Sequence, residues 1–303
     1  MTHRDGRVLV TGATGYLGGE VVRLLAQQGR PVRAAVRQDP GGWPAGVEVA
    51  PVGDLGPETD WSKALDQVDV VVHCAARAHV LRETAQDPLA TFRRANTEGA
   101  LTLARQAAAA GIRRLIFIST IGVNGGETHG VPFTAADRPQ PHSPYAVSKH
   151  EAELGLAEIA RAHDLEVVII RPPLITGPDA KGNLGTLARW IERGLPLPFG
   201  LVTGNRRDLV SRDRLAALIS ICLDHQAAAG QTFLVSDGAP VSTRQLLLDM
   251  AAAMGRKARL LPAPPALLGL ALSLVGRKTM RSQLLGDLEI DVTHTRDTLG
   301  WRP

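Results

Sequence analysis

Cysteine is almost missing from this sequence: Cys74 and Cys222 are the only two in 303 residues. So few thiols exclude a disulfide-built scaffold and fit a reducing compartment. Aromatic residues make up 4% of the chain, and Tyr16 and Tyr145 are its only tyrosines. Positive charge is scattered: 34 lysines and arginines, only five of them lysine, face 30 acids for a net charge of +4. That pattern gives no support for a nucleic-acid partner, whereas a mild positive balance suits a small anionic ligand. The nine histidines include no HExxH or comparable spacing, so no metal is expected. No GxSxG elbow is present to support hydrolase chemistry.

No hydrophobic run reaches membrane-spanning length. The strongest candidate, residues 260–276, reads LLPAPPALLGLALSLVG. Three prolines break its start and leave about 12 apolar residues, against the roughly 20 that a spanning helix needs. No membrane span is expected; the segment reads as a buried or interface helix, with contact at a membrane surface as the alternative. The opening residues MTHRDGRVLVTGATG carry no apolar stretch followed by a cleavage site, so a cytoplasmic location is expected.

What the sequence does contain is alternation. Short runs rich in Val, Ile and Leu stand at 7–10, 32–36, 47–52, 68–72, 115–119 and 167–170. Their lack of polar alternation suits strands buried on both faces. Helical patterns lie between them at 18–28, 61–67, 88–110 and 144–163, with Gly29 and Gly111 placed for C-terminal caps. Strand–helix alternation predicts an α/β fold, a doubly wound parallel Rossmann sheet with right-handed crossovers. After Arg171 the texture changes, with proline and glycine frequent in RPPLITGP and RGLPLPFG. Residues 1–170 are therefore expected to form a nucleotide-binding domain and 171–303 a smaller, mixed substrate-binding portion. The chain is free to cross between them, and a ligand should lie in the crevice they share.

The first strand runs into Thr11-Gly12-Ala13-Thr14-Gly15-Tyr16-Leu17-Gly18, and a helical pattern follows. Glycines at 12, 15 and 18 permit a tight turn, close backbone approach to a pyrophosphate and close helix–strand packing. The helix N-terminus then directs unpaired N–H groups at the anion. Gly12, Thr14, Gly15, Tyr16, Leu17 and Gly18 are thus the expected cradle.

Further on, Tyr145 and Lys149 are one helical turn apart and share a face. A free phenol titrates near pH 10, too high for proton transfer at neutrality. A neighbouring ammonium is expected to lower it.

With TGATGYLG at 11–18 and YAVSK at 145–149, the sequence resembles the extended short-chain dehydrogenase/reductase superfamily, in the epimerase/dehydratase group. The resemblance covers almost the whole chain and implies further residues. Where NAD-using members close the second strand with an acid, this chain has Arg37, which resembles NADP-using members and suits a 2′-phosphate. NADP is therefore the expected cofactor, with NAD as the alternative because Asp39 is near. The resemblance also places Asp54 and Leu55 beside the adenine, Ala75 and Ala76 beside the cofactor, and Asn96 as an organiser of the site. Thr120 takes the place of the Ser/Thr that hydrogen-bonds the reacting oxygen, with Ser119 before it on the substrate side. Thr120, Tyr145 and Lys149 form the implied catalytic set, and Tyr145 and Lys149 also contact the cofactor. The nucleotide-sugar dehydratases carry an Asp-Glu pair after that Thr; Ile121 and Gly122 stand here and disfavour dehydration.

On the substrate side, RPPLITGP at 171–178 resembles RPxxVYGP, with Thr176 replacing Tyr and Pro172 joining the implied cofactor set. Asn183, in the run that begins at Lys181, corresponds to an asparagine near the nucleotide diphosphate. Phe199 corresponds to an edge along uracil, and Arg207 to the diphosphate-binding arginine of RDFV. Arg281 is a second such candidate. The runs VNGGETHG, YAVSKHEAE and HTRDTLGW are similar to bacterial enzymes acting on UDP-N-acetyl-hexosamines. That branch includes 4-keto reductases forming UDP-N-acetyl-quinovosamine for surface polysaccharide. The resemblance implies a nicotinamide-dependent oxidoreductase acting at C4 of a nucleotide sugar. The alternatives are a UDP-sugar 4-epimerase with tightly held NAD and a cofactor-binding regulator. It also implies a homodimer joined by a four-helix bundle of helices 88–110 and 144–163.

Overall fold

The computed structural model describes residues 6–78, 87–180, 182–274 and 278–302. Lys181 of the KGN run, and residues 275–276 at the end of the apolar stretch, lie outside the described residues.

The elements in chain order are β1 (Arg7–Thr11), α1 (Tyr16–Gln27), β2 (Val32–Val36), β3 (Val47–Pro51), α2 (Ser62–Leu65) and β4 (Val68–His73). Then come α3 (Pro88–Phe92), a π-helical turn at Arg93–Glu98, α4 (Gly99–Ala109), β5 (Arg114–Ile118) and α5 (Pro144–Ala162). Next are β6 (Glu166–Arg171), β7 (Leu174–Thr176), α6 (Gly182–Glu192), β8 (Leu209–Ser211) and α7 (Arg212–Asp224). The remainder is β9 (Thr232–Leu234), α8 (Thr243–Ala253), α9 (Pro265–Leu274), α10 (Lys278–Leu285) and α11 (Thr293–Leu299).

Seven strands form one sheet in the order β3-β2-β1-β4-β5-β6-β9, and every pairing is parallel. The chain leaves β1 in one direction for β2 and β3 and in the other for β4 onward. Between β1 and β4 lies the switch point where such sheets bind ligands. Strand side chains divide by parity. Val8, Val10, Val70 and Val72 join α1 and α7 in one core, while Leu9, Val71, Leu115 and Phe117 join α4 and α5 in the other.

Several expected elements differ in extent. The helix expected at 61–67 is one turn, Ser62–Leu65; Asp66 leaves the helical region with ψ 125°, and Gln67 follows at φ +56°. The helix expected at 88–110 is continuous but takes a wider turn at Arg93–Glu98. Such turns are frequent at functional sites. Gly29 and Gly111 both adopt φ +73° just beyond α1 and α4, as a cap requires.

Beyond residue 171 the chain contributes to both parts. β9 extends the main sheet beside β6, and α7, Leu299 and Trp301 pack in the α1-side core. A separate small core forms from α6, the 197–202 segment and α8, around Leu184, Leu187, Phe199 and Leu247. Among the described residues, no helix is long and apolar enough to cross a membrane.

Candidate active site

The C-terminal ends of β1, β4, β5 and β6 bring the sequence motifs to one edge of the sheet. At β1, Gly12 has φ +64°, and a Cβ there would stand 2.8 Å from the Ala75 backbone. Only glycine combines that conformation with that approach. Cβ atoms at Gly15 and Gly18 would collide with the Gly12 carbonyl oxygen, which already accepts from the Gly15 N–H at 2.8 Å. The loop therefore folds back on itself and points the start of α1 outward. Gly15 offers no side-chain cap, so the first-turn N–H groups of Tyr16, Leu17 and Gly18 face an open position beside Thr14. A turn that permits no Cβ, leading into an uncapped helix N-terminus, fits the diphosphate of a dinucleotide.

Tyr16 closes one side. Its Oη is buried with no hydrogen-bond partner among the described residues, and a Cβ on Gly177 would stand 2.8 Å from it. Arg212 stacks over the ring with its guanidinium carbon 5.0 Å from the centroid. Burial raises the Tyr16 phenol above its ordinary value against the opposing charge of Arg212.

At the end of β2, Arg37 and Asp54 are both largely exposed and approach to 3.5 Å. The two residues expected at the adenosine end therefore face each other. Leu55 packs against Gly99 at the start of α4, where a Cβ would stand 2.9 Å from Leu55 Cγ. Ala75 donates its N–H to Thr11 Oγ1 at 3.2 Å, and Ala76 follows on the same strand exit. Asn96 is buried in the π-helical turn, which turns its amide inward. It accepts from the Arg77 N–H at 2.8 Å and donates to the Arg77 carbonyl at 3.1 Å and to Ser148 Oγ at 3.1 Å. Ser148 in turn donates to the Tyr145 carbonyl at 2.8 Å. Asn96 thus ties the exit of β4 to the helix that carries Tyr145 and Lys149.

That helix, α5, begins with Ser143 accepting from the Ala146 N–H and Pro144 at its first position, a strong start signal. Tyr145 lies in the first turn, its ring edge-on to Phe92 with centroids 5.9 Å apart. Its side chain keeps some exposure, yet burial pushes the phenol up to about 12. The lowering expected from the neighbouring ammonium is therefore absent from the protein's own groups. The reason lies with Lys149: burial brings it down to about 7, against the opposing carboxylate of Glu153. A half-neutral amine lends the phenol little field. Thr120 lies two residues beyond β5, and its Oγ1 accepts from the Gly122 N–H at 3.1 Å, which leaves the hydroxyl hydrogen free to donate. A Cβ on Gly122 would lie 3.4 Å from that oxygen and 3.3 Å from Ala146 Cβ, so Thr120 faces the first turn of α5. Pro172 accepts from the Ile121 N–H at 2.9 Å and fixes this corner.

The five substrate-side residues stand in different environments. Ser119 is buried and donates to Glu153, inside an ion pair with Arg171, instead of facing a ligand. Phe199 is 6% exposed and fills the small core with Leu184 and Leu187. Asn183 is exposed, with its amide donating to Gln283 at 2.7 Å. Arg281 lies against Gly269 of α9. Arg207 is 8% exposed, and its Nη1 donates to the carbonyls of Ser282 and Gly286 at 3.1 and 3.0 Å. The guanidinium thus caps the end of α10 and keeps its other donors for further partners.

The structure adds residues the sequence reading passed over. His73 ends β4, its Nδ1 2.7 Å from Thr11 Oγ1, and burial brings the imidazole down to about 3. A histidine closing a valine run was the available signal. Glu153, which repeats the Tyr145–Lys149 interval, takes both Arg171 and Ser119, and Arg171 also donates to Asn124 at 3.0 Å. This buried network holds β5, β6 and α5 together directly beneath the reacting groups. No group of three or more potential metal ligands occurs among the described residues.

Comparison with known proteins agrees with this geometry. Over 302 residues the chain is 42% identical to a UDP-glucose 4-epimerase of Vibrio cholerae, covering 98% of this chain and 90% of that protein. Its fold is similar to a UDP-glucose 4-epimerase of Thermotoga maritima solved with UDP-glucose (TM-score 0.76, 21% identity, 98% and 93% coverage). It is also similar to a UDP-glucuronic acid 4-epimerase of Bacillus cereus solved with NAD (TM-score 0.78, 19% identity, 98% and 93% coverage). At those identities the two structures speak for the fold alone. The model of the NAD dependent epimerase/dehydratase family matches residues 8–236, and with the cradle, the Tyr145–Lys149 pair and the parallel sheet in place, the chain belongs to that family.

Proposed function

We propose that this enzyme carries out reversible oxidation and reduction at C4 of a UDP-linked hexose, with 4-epimerisation as the outcome. The observation that carries this reading is a site in which one phenol, Tyr145, stands across from Thr120, with Ile121 and Gly122 where a dehydratase places its extra acid and base. Elimination of water needs that second pair; hydride transfer with one proton does not. Identity of 42% to the Vibrio cholerae epimerase along 98% of the chain supports the same substrate class.

A bound nicotinamide dinucleotide would supply the hydride acceptor and donor. Gly12, Gly15 and the first turn of α1 would hold its diphosphate. Tyr145 Oη, acting from its phenolate form, takes the proton of the C4 hydroxyl as the C4 hydrogen departs as hydride. It gives the proton back to the ketone oxygen when hydride returns to the other face. Thr120 donates its free hydroxyl hydrogen to the same oxygen and steadies the charge that develops there. Lys149, buried beneath, favours the phenolate whenever it is protonated.

A second reading is net reduction of a UDP-4-keto-6-deoxy-N-acetyl-hexosamine by exchangeable NADPH. Arg37 favours it, since a guanidinium at the end of β2 offers a partner for a 2′-phosphate. One experiment separates the two. The purified protein is incubated with UDP-glucose or UDP-N-acetylglucosamine and no added dinucleotide, and C4 configuration is followed by proton NMR. Epimerisation with NAD retained through gel filtration is expected. Inertness toward UDP-sugars, with NADPH consumed on a UDP-4-keto sugar, overturns the first reading in favour of the second.

A further inference from the structure

Helix α9 turns most of its apolar surface outward. Leu267, Leu270 and Leu274 are 62%, 58% and 78% exposed, and their spacing aligns them in one stripe. Within α9 only Gly269 is buried, while Leu268 packs inward on the small core beside Leu284 and Leu285 of α10. The apolar surface continues through the proline-rich approach. Leu261 and Leu201 are both about half exposed, and Leu261 accepts from the N–H of Gly200, next to Leu201, at 2.9 Å. Even the polar residue in the helix is masked, because Ser273 donates to the Gly269 carbonyl at 2.8 Å.

Charge within this stretch of sequence has one sign. Residues 250–286 contain no Asp or Glu, the longest such stretch in the chain, and carry six cations: Arg256, Lys257, Arg259, Arg277, Lys278 and Arg281. Arg256, Lys257 and Arg259 are exposed just ahead of α9. Arg281 borders a groove of about 440 Å³ between α9 and α10, with Gly269, Leu270 and Ser273 on its other side. A second copy of the chain docked through this face by a twofold axis would oppose cation to cation. An apolar stripe rimmed by cations matches instead a surface that is apolar within and anionic at its boundary.

We propose that the α9–α10 hairpin anchors the protein on an anionic bilayer surface. The ten residues of α9 are too few to span a membrane. The helix lies in the plane of the interface, with its leucine stripe at the headgroup–acyl boundary and Arg256, Lys257, Arg259 and Arg281 on lipid phosphates.

Flotation of the full chain with vesicles tests this, comparing phosphatidylcholine alone with phosphatidylcholine containing phosphatidylglycerol. The bound fraction is expected to be at least about tenfold greater on the anionic vesicles and to fall as salt is added. Replacing Leu267, Leu270 and Leu274 together by Ser removes binding while nucleotide-sugar turnover and thermal unfolding stay at wild-type values. Replacing Arg256, Lys257 and Arg259 by Gln keeps the leucine stripe and removes the preference for anionic vesicles. Absence of binding by the wild type overturns the proposal. So does equal, salt-independent binding to both vesicle types. An oligomer that the serine variant converts to smaller species overturns it as well, and assigns the face to another copy of the chain.

Discussion

The ammonium of Lys149 lies 3.8 Å from the centroid of the Phe117 ring, so the cation one turn from Tyr145 rests on the face of β5. An aromatic face attracts a cation but replaces little of its lost hydration. Burial therefore wins and brings the amine down to about 7. The Lys149 proton is loosely held in the protein alone, and its charge depends on what else enters the site.

That depression has a consequence for stability. With a folded value near 7 and an ordinary value of 10.5, the unfolded chain binds the proton more strongly between those limits. Unfolding free energy should therefore rise with pH across that window, by about 2 kcal/mol between pH 7.5 and 9. Urea unfolding of the dinucleotide-free protein beside Lys149→Met measures it, because the variant lacks this rise. Parallel curves for the two proteins would contradict the buried, weakly basic lysine.

Tyr145→Phe should lower kcat by about 10²–10⁴, the usual contribution of a general acid–base. Dinucleotide affinity should change little, since the phenol oxygen acts mainly in the transition state. Steady-state kinetics with a UDP-sugar and titration of the dinucleotide separate the two effects. Near wild-type turnover in the variant would return the regulator reading to contention.

Arg37 and Asp54 meet just beyond the ends of β2 and β3, where we propose the adenosine end of the dinucleotide lies. A 2′-phosphate would draw Arg37 from a weak, exposed pair into a charge-assisted bond. We expect Arg37→Ala to weaken NADP(H) about tenfold or more and to spare NAD(H), a loss of the order of 1.5–3 kcal/mol. Fluorescence titration with both dinucleotides decides it. Equal losses, or a wild type that clearly favours NAD(H), would remove Arg37 from the cofactor site.

Glu153 and Arg171 are 4% and 6% exposed and are joined by two hydrogen bonds. Glu153→Ala leaves a buried guanidinium without its carboxylate and should cost about 3–5 kcal/mol. Replacing both partners with apolar residues of similar volume should cost much less. Denaturant unfolding of the single and double variants tests the pair, and equal losses would show that volume, not charge, is at issue.

The outer face of α4 and α5 carries a groove of about 280 Å³ lined by Leu101, Arg105, Gly155, Glu158 and Ile159, with Leu154 55% exposed beside it. We expect two copies to pack these helices into a four-helix bundle. Light scattering should give a dimer mass for the wild type and a monomer mass for Leu154→Arg. A wild-type monomer at micromolar concentration would rule the bundle out.

Sequence alone determined the sheet and the pairing of Tyr145 with Lys149 on one helix, because both are set by local rules. Unbroken valine and isoleucine runs leave little choice but strands covered on two faces, and the glycine spacing at 12, 15 and 18 allows only one turn geometry. The interval from Tyr145 to Lys149 fixes a shared helix face whatever surrounds it. Tertiary structure decided what depends on distant segments meeting. β9 enters the sheet from the far half of the chain, 61 positions beyond the end of β6 at Arg171. Ser119 and Phe199 stand in motifs that resemble ligand contacts. Only packing shows that one feeds the Glu153–Arg171 pair and the other fills a core. The proton affinities of Tyr145 and Lys149 belong to the same class. They follow from how completely β5, β4 and α5 exclude water around them, a property of the assembled interior that no short segment carries.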